Sequence, residues 1–294
     1  REASWPRRIR RRHGHRMSSP VDYDTDLYSN DLGTATHDRV AGLLKIDAHS
    51  LATFQRHGFL AVENAFSAEQ ISNAILAVDG LIAGERADFR GIQFEPGHGD
   101  KQLLDGAQRR VAVRKLMSFV DFDTRLHELA FDAELLKIVS QLMAGADPEL
   151  FQDMALLKPP GGSEKPWHQD MAYFNVPIET PVIGVWIALE SATVENGALR
   201  VRPGSHHLGP QEHFKRRDWQ ICDSQIPRGH DVAIPLQAGG ALIWHGLLQH
   251  GSPANLSSAR RRALQFHYRP SMTQLTTIEE RMAIYGGEVR GAEC

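Results

Sequence analysis

The chain is poor in cysteine and has no long hydrophobic run. Its 294 residues contain only two cysteines, Cys222 and Cys294, so we expect neither a disulfide framework nor a thiolate metal cluster. This scarcity is typical of a reducing compartment, and we expect a cytoplasmic protein. The longest apolar segments, such as Val182–Leu189, have the length of a strand, and none approaches the roughly 18 residues that span a bilayer. A metal bound by this chain must therefore be held by histidine and carboxylate ligands.

Excess positive charge is confined to the beginning of the chain. Arg1–Arg16 holds seven arginines and one glutamate, whereas the whole chain has a net charge of −3, so residues 17–294 carry about −9. An acidic body argues against a nucleic-acid-binding domain. We expect residues 1–46 to form a basic and polar leader, in which the part before Met17 is a tag, a misassigned start or a basic arm. Residues 47–294 are expected to form a single catalytic domain.

Helical patterns come first along the chain, and short strands follow. Leu51, Phe54 and His57 are spaced for a short helix that Gly58 ends. Ser67 and Gln70 form a capping box that opens a second helix running to about Gly80, and apolar periodicity predicts a third over Leu126–Met143. The predicted strands are Phe151–Leu157, Val182–Ser191, Leu199–Arg202, Asp231–Leu236, Ala241–Trp244 and Ala263–Tyr268. Turns rich in glycine and proline separate them. This order predicts a mainly β fold, a barrel or jelly roll with N-terminal helices packed on its outside.

The most informative residues are two histidines and one aspartate. His168 and Asp170 are two positions apart, so an extended backbone directs both side chains to one face. His250 follows 82 residues after His168 and is succeeded by a Gly-Ser turn. Two imidazoles and one carboxylate are the set with which non-haem Fe(II) oxygenases hold iron on one face, leaving open positions. His245 is the alternative third ligand, but no Gly-Ser turn follows it.

Three consecutive arginines follow this set. An arginine just beyond the last metal ligand can bind the far carboxylate of a metal-chelating 2-oxo acid through its planar guanidinium. Strand alternation puts Arg261 on one face and Arg260 and Arg262 on the other. The apolar pattern of the strand does not decide which of the two faces is inside.

These stretches resemble the phytanoyl-CoA dioxygenase-like family of Fe(II)/2-oxoglutarate oxygenases. The resemblance is carried by Thr53–Ser67, Trp167–Asp170, Gly184–His206 and His250–Leu264. It implies a double-stranded β-helix core, which is a cupin-like jelly roll, and the use of Fe(II), 2-oxoglutarate and O2. Carried over residue by residue, the iron ligands would be His168, Asp170 and His250. The residues that contact the cosubstrate would be Arg261, Ser252, Gln169, Trp186 and, by a looser match, Lys115.

The resemblance also implies an activity. The expected enzyme is a dioxygenase that hydroxylates or otherwise oxidises an unactivated C–H bond of a small molecule, while 2-oxoglutarate becomes succinate and CO2. Asp170 argues against halogenation, because halogenases on this scaffold have a small residue at that position. We expect a monomer or homodimer that acts on a small molecule and binds neither nucleic acid nor membrane. A non-oxidative cupin-like isomerase or lyase and a non-catalytic ligand-binding jelly roll stay open as alternatives.

Overall fold

The computed structural model describes Tyr28 and residues 39–95, 106–227 and 229–286. The helices within these ranges are α1 (Ala48–His57), α2 (Ala68–Ala83), α3 (Gly106–Ala112), α4 (Thr124–Ala130), α5 (Ala133–Leu142) and α6 (Ile278–Tyr285). The first strands are β1 (Val40–Ala41), β2 (Phe59–Glu63), β3 (Ile92–Phe94), β4 (Val113–Met117), β5 (Pro148–Lys158), β6 (Lys165–His168) and β7 (Ile183–Ala188). The remaining strands are β8 (Leu199–Val201), β9 (His213–Lys215), β10 (Trp219–Ile221), β11 (Val232–Ile234), β12 (Ala241–His245), β13 (His250–Ser252) and β14 (Arg261–Pro270).

A larger and a smaller sheet form the centre of the fold. The larger sheet has the order β1-β2-β12-β7-β14-β5-β4-β3, and the smaller sheet has the order β11-β8-β13-β6. From β5 to β8 the chain alternates between the larger and the smaller sheet, and from β11 to β14 it alternates again, starting from the smaller. This alternation is the topology of a double-stranded β-helix, so the predicted jelly roll is confirmed.

The larger sheet is apolar on both faces because both faces are covered. On one face, residues such as Val185 and Phe266 pack against α2, α4 and α5 in one continuous core. On the other face, Trp186 and Trp244 pack with Val201 of the smaller sheet. Side chains of a strand alternate between faces, which accounts for the division. The helices therefore cover the outside of the barrel, as predicted.

The capping box at Ser67 and Gln70 is present at the start of α2. The expected end of this helix near Gly80 is wrong, because α2 continues to Ala83. Gly84 then adopts a left-handed conformation (φ 87°) and forms the C-cap.

The single helix predicted over Leu126–Met143 is two helices, α4 and α5. Asp132 interrupts it: its carboxylate accepts hydrogen bonds from the backbone N–H groups of Glu134 and Leu135 and caps the second helix. The apolar period continues across the break, which is why periodicity alone predicted one helix.

Described residues upstream of the boundary expected at residue 46 also pack against the fold. β1 pairs in parallel with β2, and Leu43 is buried in the core. Tyr28 also contacts the domain, stacked on Trp167 with 5.6 Å between ring centroids. Residues 1–27 and 29–38 of the predicted leader, Cys294 and the expectation about Met17 lie outside the described residues. Among the described helices, none is long and apolar enough to cross a membrane.

Candidate metal centre

Two neighbouring strands of the smaller sheet bring the predicted metal ligands together. β6 ends at His168, Gln169 continues in an extended conformation (φ −116°, ψ 131°), and Asp170 begins a turn of 3₁₀ helix. His250 lies directly opposite His168 in the ladder between β6 and β13. This pairing explains how residues 82 positions apart in the sequence share one site.

The three side chains present ligand atoms that all lie within 4.8 Å of one another. Asp170 Oδ1 is 3.4 Å from His168 Nε2 and 3.5 Å from His250 Nε2. Nδ1 of His168 lies 2.8 Å from the carbonyl oxygen of Pro166, and Nδ1 of His250 lies 3.0 Å from that of Leu248. A ring that donates its Nδ1–H to a carbonyl keeps the Nε2 lone pair for a metal. The donor set therefore fits a divalent metal ion.

Burial and neighbouring rings set the protonation states of His250 and Asp170. Burial lowers the pKa of His250 to about 4, so its ring is neutral at neutral pH. Burial alone would raise the pKa of Asp170. Interactions with the surrounding rings of His250, His267 and His168 outweigh burial and hold that pKa well below its ordinary value. Asp170 is thus an ionised carboxylate.

Asp170 is held by two residues that the sequence analysis missed. Its second oxygen, Oδ2, accepts a hydrogen bond from Trp244 Nε1 (2.8 Å) and lies 2.9 Å from His267 Nε2. Both contacts leave Oδ1 directed toward the two histidine ligands. Alternation could have found His267, because it lies an even number of residues from Arg261 on β14 and so shares its face.

The side chain of Gln169 is hydrogen-bonded behind the ligands and is not among the residues that line the cavity, and its predicted contact with the cosubstrate stays a prediction. Its side-chain amide donates to the carbonyl oxygens of Gly209 and Leu247, at 2.9 and 2.7 Å. Its backbone N–H donates to His213 Nε2 at 3.1 Å. Burial lowers the pKa of His213 to about 3, which keeps this ring neutral and able to accept the bond. Gln169 therefore holds the turn that begins at Asp170 from the side opposite the cavity, as strict strand alternation requires.

A cavity of about 490 Å³ opens in front of the three ligands. This volume lies within the range of about 300–1,000 Å³ that small-molecule sites occupy. The cavity is rich in cations: its lining includes Arg114, Lys115, Lys158, Lys165 and Arg261. The alternative ligand His245 lies outside this lining, and its Nδ1 accepts a hydrogen bond from the backbone N–H of Leu247 (3.1 Å).

The structure directs Arg261 into the cavity and the two flanking arginines away from it. Arg262 forms ion pairs with Glu190 and Asp79 on the outer side. Arg260 donates to the carbonyl oxygen of Arg110 at 2.7 Å. Only Arg261 among the three consecutive arginines lines the cavity.

Arg261 and Lys158 form what we call the cationic end of the cavity, together with Ser252. The two cations are direct partners in the ladder between β14 and β5. Lys158 Nζ donates to Ser252 Oγ (2.8 Å) and to the carbonyl oxygen of Pro253 (2.5 Å). The sequence did not assign Lys158 to the site, because a surface charge is the default interpretation of a lysine at a strand end.

The cationic end has buried donors with no partner among the described residues. Arg261 Nη1 donates to the carbonyl oxygen of Gly197 (2.7 Å), but Arg261 Nε and Trp186 Nε1 are buried without a hydrogen bond. Burial lowers the pKa of Arg261 to about 10, and burial together with the charge of Arg261 lowers that of Lys158 well below its ordinary value. Buried cations with spare donors fit an anionic ligand such as a carboxylate.

Trp186 lies beneath Arg261 and is not among the residues that line the cavity, and its predicted contact with the cosubstrate stays a prediction. The guanidinium carbon of Arg261 is 5.3 Å from the centroid of the Trp186 ring. Trp186 therefore positions the arginine by a cation–π contact.

Comparisons with known proteins agree with this site. The family model described as phytanoyl-CoA dioxygenase matches residues 54–263. The phytanoyl-CoA dioxygenase domain-containing protein 1 of Bos taurus is 34% identical over 256 residues, which cover 74% of this chain and 88% of that protein. Among solved structures, the non-haem α-ketoglutarate-dependent carbocyclase SnoK from nogalamycin biosynthesis has a TM-score of 0.64 at 20% identity, with 86% of this chain and 96% of that chain covered.

EctD from S. alaskensis, solved with 2-oxoglutarate and 5-hydroxyectoine, has a TM-score of 0.63 at 23% identity over 84% of this chain and 82% of that chain. These structural likenesses establish the shared fold. The family match covers well over half of the chain and includes all three proposed metal ligands and Arg261 within its limits. This chain belongs to the phytanoyl-CoA dioxygenase (PhyH) family.

Proposed function

We propose that this protein is an Fe(II)/2-oxoglutarate-dependent oxygenase that hydroxylates a C–H bond of a small molecule. The observation that carries the proposal is one cavity with a His-Asp-His set on its wall and a buried arginine with unpartnered donors at its end. A non-oxidative cupin-like enzyme does not need a buried arginine with unpartnered donors at the end of its cavity. Iron, 2-oxoglutarate and O2 are the cofactors of the family, and the residues present fit them.

His168, Asp170 and His250 are the proposed iron ligands. Each histidine offers Nε2 while its Nδ1–H is engaged by a backbone carbonyl. Asp170 offers Oδ1 while Trp244 and His267 hold Oδ2. When bound, iron together with 2-oxoglutarate supplies the oxidation by O2 and releases succinate and CO2. The protein binds, orients and shields the reactants, so no general base is required.

Arg261 is the proposed partner of the far carboxylate of 2-oxoglutarate. Its guanidinium can donate two parallel hydrogen bonds to a carboxylate, which fixes the orientation of the bound molecule. Lys158 and Ser252 lie beside it and supply a second cation and a hydroxyl group. Trp186 supports the guanidinium from beneath.

Hydroxylation is the finer part of the proposal. EctD, which shares the fold, was solved with a hydroxylated molecule, whereas SnoK is described as a carbocyclase. The fold therefore accommodates more than one outcome. The carboxylate of Asp170 supports hydroxylation over halogenation, because it occupies the position that a halide would need.

Succinate release tests the proposal. Purified protein incubated with Fe(II), 2-oxoglutarate and air should form succinate, and His168→Ala should abolish this activity. His49→Gln, which changes an exposed histidine of α1, is the matched control and should retain it. Succinate formation by His168→Ala at the wild-type rate would refute the ligand assignment.

A further inference from the structure

The hairpin β9–β10 (residues 213–221) lies outside the barrel and against the strand that carries the first metal ligand. It is inserted in the sequence between β8 and β11, which pair with each other in the smaller sheet. Its two strands form a separate sheet, and β10 packs beside β6. Ile221 of β10 and Trp167 of β6 share one apolar cluster. The hairpin therefore supports the segment that ends at His168.

The turn of this hairpin places the carboxylate of Asp218 in the cavity wall. Asp218 Oδ2 accepts a hydrogen bond from Lys165 Nζ at 2.6 Å, and Oδ1 accepts one from the backbone N–H of Trp219 at 2.8 Å. Burial acts to raise the pKa of Asp218, but Lys165 outweighs burial and lowers that pKa to about 2. Burial acts to lower the pKa of Lys165, but Tyr173 and Asp218 outweigh burial and raise it. Asp218 and Lys165 therefore form a charge-assisted hydrogen bond.

Lys165 and the hairpin backbone hold the phenol of Tyr173 from two sides. Lys165 Nζ donates to Tyr173 Oη at 3.0 Å and lies 4.8 Å from the centroid of its ring. Tyr173 Oη in turn donates to the carbonyl oxygen of Trp219 at 2.5 Å. The hydroxyl group thus accepts one hydrogen bond and donates another, which restricts the orientation of the ring.

The ring of Tyr173 packs edge-to-face with the ring of His168. The ring centroids are 5.8 Å apart, and the ring planes are at 88° to each other. Tyr173 ends the 3₁₀ turn that begins at Asp170, so it belongs to the ligand segment. The contact of His168 Nδ1 with the carbonyl oxygen of Pro166 restrains one atom of the imidazole. The contact with Tyr173 restrains the plane of the ring, and together the two contacts direct Nε2 toward the other ligands.

The other two ligands take support from the barrel itself. Trp244 of β12 donates to Asp170, and its ring centroid lies 5.2 Å from that of His250. β12 belongs to the larger sheet. His168 differs, because the contacts that reach it through Tyr173 begin in the hairpin. A change in the hairpin should therefore act on His168 first.

We propose that Tyr173 is a positioning residue of the metal site, because its ring fixes the imidazole plane of His168. The hairpin in turn fixes Tyr173 through Asp218 and Lys165. The inference rests on the proposed function, since it takes His168 as a metal ligand, and it adds a segment outside the barrel to the metal site. A tyrosine with a purely structural role would stabilise the fold without changing how a bound metal is held.

Anaerobic titration with Co(II), whose visible absorption depends on the geometry of its ligands, separates these two roles. Tyr173→Leu removes the ring and should weaken Co(II) binding about tenfold and change the spectrum of the bound metal. Tyr173→Phe keeps the ring and loses both hydrogen bonds of the hydroxyl group, so it should recover part of the affinity. Tyr268→Phe is the matched control, because it also removes a buried tyrosine hydrogen bond, 2.6 Å to the carbonyl oxygen of Ala130, but on the helix side of the larger sheet. This control should bind Co(II) with wild-type affinity and spectrum.

A double-mutant cycle tests the part played by the hairpin. Asp218→Asn keeps the size of the side chain and removes its charge, so the Co(II) affinity should fall about threefold in the wild-type background. In the Tyr173→Leu background the same substitution should have no further effect, because the ring through which it acts is gone. Additive losses would overturn the proposed path through Tyr173.

The unfolding temperature of each metal-free variant establishes that it is folded. Equal Co(II) affinities and spectra of the wild type and Tyr173→Leu would overturn the proposal. If Tyr173→Leu does not fold, Tyr173→Phe decides, and the proposal then requires it to bind Co(II) about threefold more weakly than Tyr268→Phe. Absence of Co(II) binding by the wild type would instead overturn the metal-ligand assignment in the proposed function.

Discussion

The two ends of the cavity are built differently. At the metal end, the outer atoms of all three ligands are held by protein groups: the Nδ1 atoms of His168 and His250 by carbonyls, and Asp170 Oδ2 by two rings. At the cationic end, Arg261 and Trp186 keep buried donors without partners among the described residues. The candidate metal site is thus pre-formed by protein contacts, whereas the proposed anionic ligand would complete the cationic end.

This difference predicts which affinity each substitution changes. A change at the metal end should weaken metal binding first, and the cosubstrate should follow because it needs the metal. A change at the cationic end should weaken 2-oxoglutarate alone and leave the metal affinity intact. Substitutions at the two ends therefore separate the two functions.

Arg261→Gln should have the largest effect on the cosubstrate. Removing one partner of a buried, hydrogen-bonded charge pair costs about 2–5 kcal/mol, so the dissociation constant of 2-oxoglutarate should rise about 30-fold or more. Calorimetry with Fe(II)-loaded protein measures it, and Fe(II) affinity should stay at the wild-type value. Arg260→Gln, whose side chain faces the other way, is the matched control. Equal losses in both variants would contradict the assignment of Arg261.

His267→Leu should weaken the metal rather than the cosubstrate site. It removes one of the two contacts that hold Asp170 Oδ2. Loss of such a supporting residue typically costs about 10–100-fold in metal affinity. His267→Gln, which keeps a donor on the side chain, should recover part of the loss in an equilibrium metal titration. A variant with unchanged metal affinity and reduced 2-oxoglutarate affinity would reverse the proposed division.

Lys158→Met should give the smallest effect, together with a change in pH dependence. Burial lowers the pKa of Lys158 in the free protein, and a bound carboxylate should raise it again. Between the lowered pKa of the free protein and the raised pKa of the complex, the protein should take up a proton when 2-oxoglutarate binds, and affinity should fall as pH rises through this window. Calorimetry in two buffers of different ionisation enthalpy measures this uptake. The uptake should vanish in Lys158→Met, and the affinity for 2-oxoglutarate should fall about tenfold. Wild-type binding heats that do not depend on the buffer would contradict this account.

Sequence patterns predicted the features of the fold and site that depend only on residues close together in the chain. The spacing of His168 and Asp170 on an extended segment indicated a shared face, and the structure places them so. The same alternation placed Gln169 on the opposite face, where its side-chain amide contacts Gly209 and Leu247. The break between α4 and α5 also had a local signal in Asp132, which apolar periodicity hides.

Features that depend on long-range strand register could not be predicted in this way. The contact of Lys158 with Ser252 and its pairing with Arg261 join three strands whose relative register no local pattern encodes. The bond from Trp244 to Asp170 likewise depends on how the larger sheet packs over the smaller one. A single sequence contains neither piece of information.

The most direct test of the central claim is the calorimetric affinity for 2-oxoglutarate with and without Fe(II), under anaerobic conditions, in the wild type and in Arg261→Gln. If the two ends act on one ligand, the wild type binds one equivalent tightly only when the metal is present, and Arg261→Gln loses most of this affinity while keeping the metal. Equally tight binding to metal-free protein, or binding that does not depend on residue 261, would show that the two ends do not share one cosubstrate.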